Sequence, residues 1–339
     1  MPLATILLIT SVAALASFLI NGRLMPLFRR FALARPNARS SHTAPTPQGG
    51  GLGVLLACGP GFLAALQSAT LPGAFTAWGL ASMAAGAVLL AAVGAIDDLR
   101  PLPAGPRLLA QAVAAALGLW SVGVSTDLSI GDLPALLLWP ALGLGLIWFI
   151  NLTNFMDGID GITIAEFLPI LATLALLSLL GLFPANAGLL AAALFGGLAG
   201  FAPYNWHVAR LFLGDTGSLS IGFMTGCLLL KLALSGHPIS ALILPAYYLA
   251  DATLTLLTRL QRGEPITEAH RTHFYQRATS LGWRVPEITA LIVKANLGLG
   301  SLALVAAWTN EVMIQIVSLA AAAALTAWLL RQLSRAPLR

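Results

Sequence analysis

The chain has 339 residues, 58% of them apolar and only 9% charged, with 18 basic side chains against 13 acidic ones. A soluble domain carries about 25% charged residues, so this composition cannot supply a water-facing surface, and a mean hydropathy of +0.86 assigns the chain to lipid. Cys58 and Cys227 each lie in an apolar run, which excludes a disulfide scaffold and a cysteine zinc site. The bases behind a pI near 9.8 are scattered singly, so nucleic acid is not an expected partner.

A spanning helix needs about 20 mainly apolar residues. Runs of about that length fall at roughly 3–20, 52–70, 76–96, 107–124, 133–150, 163–182, 186–203, 217–235, 239–257, 288–307 and 312–330. The expectation is an all-α polytopic integral membrane protein, one transmembrane domain over 1–339 with about 10–11 spans. Ala14-Leu15-Ala16 looks like a signal-peptide cleavage site, but no base precedes the first run and Arg23, Arg29 and Arg30 follow it, so it reads as a retained span. No internal repeat or low-complexity tract is evident, and the polar stretch 258–287 reads as a loop.

Bases near span ends stay on the cytoplasmic side. Arg23, Arg29, Arg30, Arg35 and Arg39 share the first loop, Arg100 and Arg107 the third, and Arg210 the seventh. Arg259, Arg262, Arg271, Arg277 and Arg284 occupy the ninth, while Arg331, Arg335 and Arg339 lie in the tail. Only Lys231 falls near the other side, where Asp127, Asp132 and Glu311 have no basic company. The N-terminus is therefore expected outside and the C-terminus in the cytoplasm, with loops 21–51, 97–107, 151–162, 204–218 and 258–287 cytoplasmic.

Acids at span ends are costly and are functional candidates. Asp97, Asp98, Asp157, Asp160 and Asp215 are all assigned to the one face. Each alone could be a helix cap or a solvated loop residue, but carboxylates gathered with few bases repel one another unless a cation joins them. Hard oxygen ligands of this kind suit Mg²⁺ or Mn²⁺, which keep waters and bind substrate phosphates. In Ile96-Asp97-Asp98-Leu99-Arg100 the adjacent acids diverge by about 100° on a helix, so they serve different partners. In Asn151-Leu152-Thr153-Asn154-Phe155-Met156-Asp157-Gly158-Ile159-Asp160-Gly161, polar groups recur every three residues beside glycines that allow close backbone approach. Phe212-Leu213-Gly214-Asp215-Thr216-Gly217-Ser218-Leu219 puts an acid in a turn before a helix whose free N–H groups favour phosphate.

In the ninth loop, Glu268-Ala269-His270-Arg271-Thr272-His273-Phe274-Tyr275-Gln276-Arg277 would set His270 and His273 on one helical face as a phosphate clamp. The alternatives are a zinc pair, which lacks the H-E-x-x-H glutamate, and a membrane-surface amphipathic segment.

Together these motifs resemble the polyprenyl-phosphate N-acetylhexosamine-1-phosphate transferases of glycosyltransferase family 4, from about Asn37 to Arg277. The first loop, Asn37-x-Arg39-Ser-x-His42-x-x-Pro45-x-Pro47-x-Gly49-Gly50-Gly51, matches as well. Within the family the Ala269–Gln276 motif is most similar to bacterial enzymes that begin O-antigen synthesis with GlcNAc or FucNAc 1-phosphate, and the histidine triplet of the peptidoglycan branch is missing. Gln48 stands where Arg is commoner, and Trp206-His207 where an apolar-Pro pair is commoner.

The resemblance implies transfer of a HexNAc 1-phosphate from a UDP-sugar to undecaprenyl phosphate with release of UMP, dependent on Mg²⁺, at the cytoplasmic face of a bacterial inner membrane. It makes Asp215 and Asp157 the metal ligands, with Asn154 beside the donor pyrophosphate and His270, Arg271 and His273 on the donor phosphates. Arg39 and Arg107 are candidates for the lipid phosphate, His42 and Asn205 are further substrate-binding candidates, and Asp97, Asp98 and Asp160 complete the catalytic set. Asp97 need not be a base, because a phosphate monoester with a second pKa near 6 is mostly dianionic at neutral pH. A homodimer is left open. Two rival readings are a transporter, for which Asp251 midway along the ninth span is the fitting acid, and a prenyltransferase, which would leave the Gly-Asp-Thr-Gly-Ser and His-Arg-Thr-His pieces without a role.

Overall fold

The computed structural model describes residues 2–34, 45–123, 135–265 and 270–337. Arg39 and His42 lie outside those residues. The described chain is helical almost throughout. In order come α1 (Leu3–Phe31), α2 (Gly50–Ala57), α3 (Gly59–Gln67), α4 (Ala77–Leu99), α5 (Ala104–Gly123), α6 (Ala135–Met156) and α7 (Ile162–Leu179). There follow α8 (Ala185–Asn205), α9 (Gly214–Leu234), α10 (Pro238–Ile243), α11 (Ala246–Gln261), α12 (Phe274–Ser280), α13 (Val285–Thr309) and α14 (Val312–Leu333).

Nine stretches among the described residues are long and apolar enough to cross a membrane, α2 and α3 counting as one over Gly50–Gln67. The two expected spans that differ do so for visible reasons. Helix α5 has 20 residues but carries Arg107 and Gln111, which dilute its hydropathy. The run at 239–257 is interrupted at Leu244-Pro245, which separates α10 from α11, and α11 carries Asp251, Thr253, Thr255, Thr258 and Arg259. The other breaks follow similar chemistry: Gly59-Pro60 separates α2 from α3, and Thr76 caps α4 by accepting the Gly79 N–H at 2.9 Å.

Burial separates inner from outer helices. In α9, 83% of the apolar window is buried in protein, against 22% in α1 and α14, so α7, α8 and α9 form the centre and the terminal helices present Leu, Val and Trp to lipid. Two close backbone approaches explain glycines that a spanning sequence does not otherwise need. A methyl group on Gly51 would overlap Gly217, and one on Gly94 would overlap the backbone of Asp215 and Thr216, so α2 and α4 both press against the first turn of α9.

That turn is also held by extended backbone. Strands β1 (Leu33–Ala34) and β2 (Thr46–Pro47) pair antiparallel, Leu33 with Pro47 and Ala34 with Thr46. The Phe212 N–H donates to Pro47 O at 2.8 Å, and the N–H groups of Gly50 and Gly51 donate to Phe212 O and Leu213 O at 3.0 and 2.9 Å. The first-loop motif is therefore bonded to the residues just before Asp215.

Candidate active site

Helix α4 ends at the first turn of α9, and its two acids divide as their angular separation requires. Asp98 turns to α9: Oδ1 accepts the Asp215 N–H at 2.8 Å, while Oδ2 accepts the Thr216 N–H at 3.1 Å and the Thr216 hydroxyl at 2.8 Å. It caps a helix that supplies no cap of its own, since Leu213 precedes Gly214 there. Asp97 turns the other way, its Oδ1 accepting the Leu102 N–H and its Oδ2 lying 3.2 Å from Arg107 Nη1. Asp97 and Asp215 present their side chains to each other.

Arg107 and Asn154 complete this cluster from α5 and α6. Arg107 Nη2 donates to Asn154 Oδ1 at 3.3 Å and lies 4.0 Å from Asp215 Oδ2. The Asn154 amide in turn donates to Asp215 Oδ1 at 2.8 Å and to Ser218 Oγ at 2.9 Å. One guanidinium thus faces two carboxylates that also face each other, leaving net negative charge that a cation would offset. All the donors are oxygens, the set that suits Mg²⁺, which needs only one or two carboxylates when waters and phosphates fill its other positions. Among the described residues no group of three or more His, Cys, Asp or Glu side chains is placed to hold a metal ion.

Asp157 and Asp160 diverge in turn. The Thr163 hydroxyl donates to Asp157 Oδ1 at 2.5 Å. Burial pushes the Asp157 carboxyl up to about 6, opposed by Thr163 and reinforced by the charges of Asp98 and Asp160. Asp160 is buried and reaches the other loop, its Oδ2 lying 2.9 Å from His207 Nδ1 and accepting the Ala209 N–H at 3.0 Å. Asn205 answers from that loop, accepting the Gly161 N–H at 2.9 Å and donating to Leu211 O at 3.1 Å. These two residues tie the turn after α6 to the segment before α9.

The ninth loop folds over the same face, but its histidines and Arg271 separate. His270 and His273, with ring centroids 4.9 Å apart, line a cavity of about 640 Å³ together with Arg107 and Asn154. Arg271 instead lines a separate surface cleft with His207 and Trp283. Leu108, Leu144, Ile147, Trp148 and Leu256 make much of the rest of its lining apolar.

Residues 80–233 match glycosyl transferase family 4. The match covers less than half of the chain and is one of similarity. The chain is 28% identical over 317 residues to the decaprenyl-phosphate N-acetylglucosaminephosphotransferase of Mycolicibacterium smegmatis, covering 83% of this chain and 77% of the relative. A probable undecaprenyl-phosphate N-acetylglucosaminyl 1-phosphate transferase of Bacillus subtilis is 26% identical over 287 residues, or 80% and 77% of the two chains. A phospho-N-acetylmuramoyl-pentapeptide-transferase of a Synechococcus strain is 38% identical over a shorter stretch of 153 residues, 38% of this chain and 41% of the relative.

The structure adds residues to the site. Thr216 and Ser218 lie inside the Gly214–Leu219 motif, and their hydroxyls bond Asp98 and Asn154. Tyr275 is fully buried, and its hydroxyl donates to Phe155 O at 3.1 Å beside Gly158, where any Cβ would meet the phenol. This contact joins the ninth loop to the Asn154–Asp157 turn across 120 residues of sequence, a separation no spacing pattern can bridge. Asp251 is not an acid facing a transport path: it is fully buried and bonded by the ninth loop.

Proposed function

We propose that the chain transfers a HexNAc 1-phosphate from a UDP-activated N-acetylhexosamine to undecaprenyl phosphate, giving undecaprenyl-diphosphate-sugar and UMP. The observation that carries this reading is the 640 Å³ cavity, whose lining combines apolar side chains with Arg107, Asn154, His270 and His273. A lipid phosphate needs both an apolar wall for its chain and a cationic end for its headgroup. The names of the relatives support the class of acceptor and of sugar phosphate.

In this reading Arg107 binds the acceptor phosphate, whose dianion attacks the sugar-bearing phosphorus of the donor without needing a base. One P–O bond forms to the lipid phosphate while the bond to UMP breaks, in a single in-line displacement. His270 and His273 hold the donor phosphates as negative charge moves onto UMP, and Arg271, on the outer side of the same loop, attracts the donor. Asp215 and Asp97, with Asn154 beside them, would hold Mg²⁺, which supplies charge neutralisation for the pyrophosphate. Asp157 is kept as the further metal-ligand candidate. The scattered arginines favour a cytoplasmic site, and the Ala269–Gln276 motif favours an O-antigen-type product. The test is UMP release by purified protein from a panel of UDP-sugars, with and without undecaprenyl phosphate and with and without Mg²⁺. Release that needs both lipid and metal is expected; release indifferent to the lipid would refute the assignment.

A further inference from the structure

Helix α11 carries an aspartate whose surroundings the proposed reaction leaves unexplained. Asp251 is 0% exposed, and five donors reach its carboxyl group. Oδ1 accepts the Phe274 N–H at 3.0 Å and the Thr255 hydroxyl at 3.4 Å, and lies 3.2 Å from His273 Nδ1. Oδ2 accepts the Tyr247 hydroxyl at 3.3 Å and the Tyr275 N–H at 3.4 Å. Two of these five are backbone groups of the ninth loop and one is its second histidine. Burying a carboxylate is costly, and a cap alone needs only the two N–H groups.

The imidazole shows what the remaining contact does. His273 is itself 2% exposed, stacked on Tyr275 with ring centroids 5.8 Å apart, and it lines the cavity that holds Arg107 and Asn154. Facing an ionised Asp251, which can only accept, Nδ1 would carry the proton and leave Nε2 to meet a ligand. A phosphate oxygen at Nε2 would then have the ring between it and Asp251.

We infer that Asp251 is a positioning residue of the transfer reaction, acting through His273 by fixing its ring orientation and its proton on Nδ1. The inference rests on the proposed reading of His270 and His273 as the part of the cavity that holds the donor phosphates. It assigns to a buried acid of α11 a part in holding the nucleotide-sugar pyrophosphate, with no contact of its own to substrate.

The experiment uses the full chain in detergent, with Asp251→Asn, His273→Gln and the double variant. Asparagine keeps the size and one accepting oxygen for the backbone N–H groups, and thermal midpoints of all three check that they fold. Two readouts follow. The chain has five histidines, so ¹⁵N-histidine spectra, assigned through His273→Gln, report the ring tautomer directly. Protonated Nδ1 is expected in the unaltered chain and protonated Nε2 in Asp251→Asn. For UMP release, Asp251→Asn should lower kcat/KM for the UDP-sugar by roughly 10- to 100-fold, the usual range for a partner behind a ligating histidine. It should then cost less than about threefold more when His273 is already Gln, because its effect passes through that ring. An unchanged His273 tautomer, or losses that multiply in full, would overturn the inference. If the unaltered chain released no UMP from any UDP-sugar, the functional reading would fail, and the ring spectra would still decide whether Asp251 controls His273.

Discussion

Asp98→Asn tests the division of labour between the paired acids. In the native site one carboxylate takes three hydrogen bonds from the first turn of α9, at 2.8, 3.1 and 2.8 Å. Asparagine keeps one oxygen, which can stay on the Asp215 N–H, but its amide nitrogen then faces the Thr216 N–H, donor against donor. The Thr216 hydroxyl can rotate to accept from it, so the net loss is one bond to a charged acceptor, about 1.5–3 kcal/mol, plus about 0.3–1 kcal/mol of attraction to the helix N-terminus. The first turn of α9, and with it Asp215, is therefore destabilised by about 2–4 kcal/mol. If all of that displaces Asp215 from its working position, turnover falls roughly thirty- to a thousandfold. The assay is UMP release against Mg²⁺ concentration, alongside the thermal midpoint in detergent. Turnover and midpoint should fall together, and more Mg²⁺ should be needed for half-maximal rate. A large loss of turnover with an unchanged midpoint would refute the capping argument and return Asp98 to direct contact with substrate.

Other consequences follow from the same geometry. Gly94→Ala puts a methyl group into the Asp215 backbone, and overpacking of that kind costs about 1–3 kcal/mol, so turnover should fall at least about fivefold with substrate chemistry untouched; Gly105→Ala, whose methyl would meet nothing, is the control. Burial holds Asp157 at about 6, above its ordinary 3.8, so the folded chain binds an extra proton between those values and Asp157 opposes folding increasingly as pH rises through them. Thr163→Val removes the hydroxyl that favours the ionised form, so the acid limb of the pH–rate profile should move to higher pH, and a limb left in place would separate Asp157 from it. A cysteine at exposed Ser280, in a chain lacking Cys58 and Cys227, should react with an impermeant thiol reagent only after the membrane is opened. Labelled UMP should exchange into the UDP-sugar only when polyprenyl-diphosphate-sugar is present; robust exchange in delipidated enzyme would support a covalent aspartyl intermediate instead.

The membrane class, the spacing of most helices and the five carboxylates at span ends were legible in the sequence, because each depends on composition within a window of about 20 residues. The angle between successive helix residues separates Asp97 from Asp98 in advance, and the contacts bear that out. What each acid meets depends on chain segments far away, and only packing decides it. Asp98 caps a helix 117 residues on, Asp160 latches a loop 47 residues away, and Asp251 is claimed by the ninth loop and not by a path through the bilayer. Hydropathy cannot show this, since an acid bonded inside the protein and an acid facing a channel look alike in a window average. The same limit separates His270 from Arg271, adjacent in sequence and turned into different cavities. Local rules determine which residues are too polar for lipid, while the tertiary structure determines which polar partner satisfies each one, because a buried hydrogen bond is chosen by position in space and not by spacing along the chain.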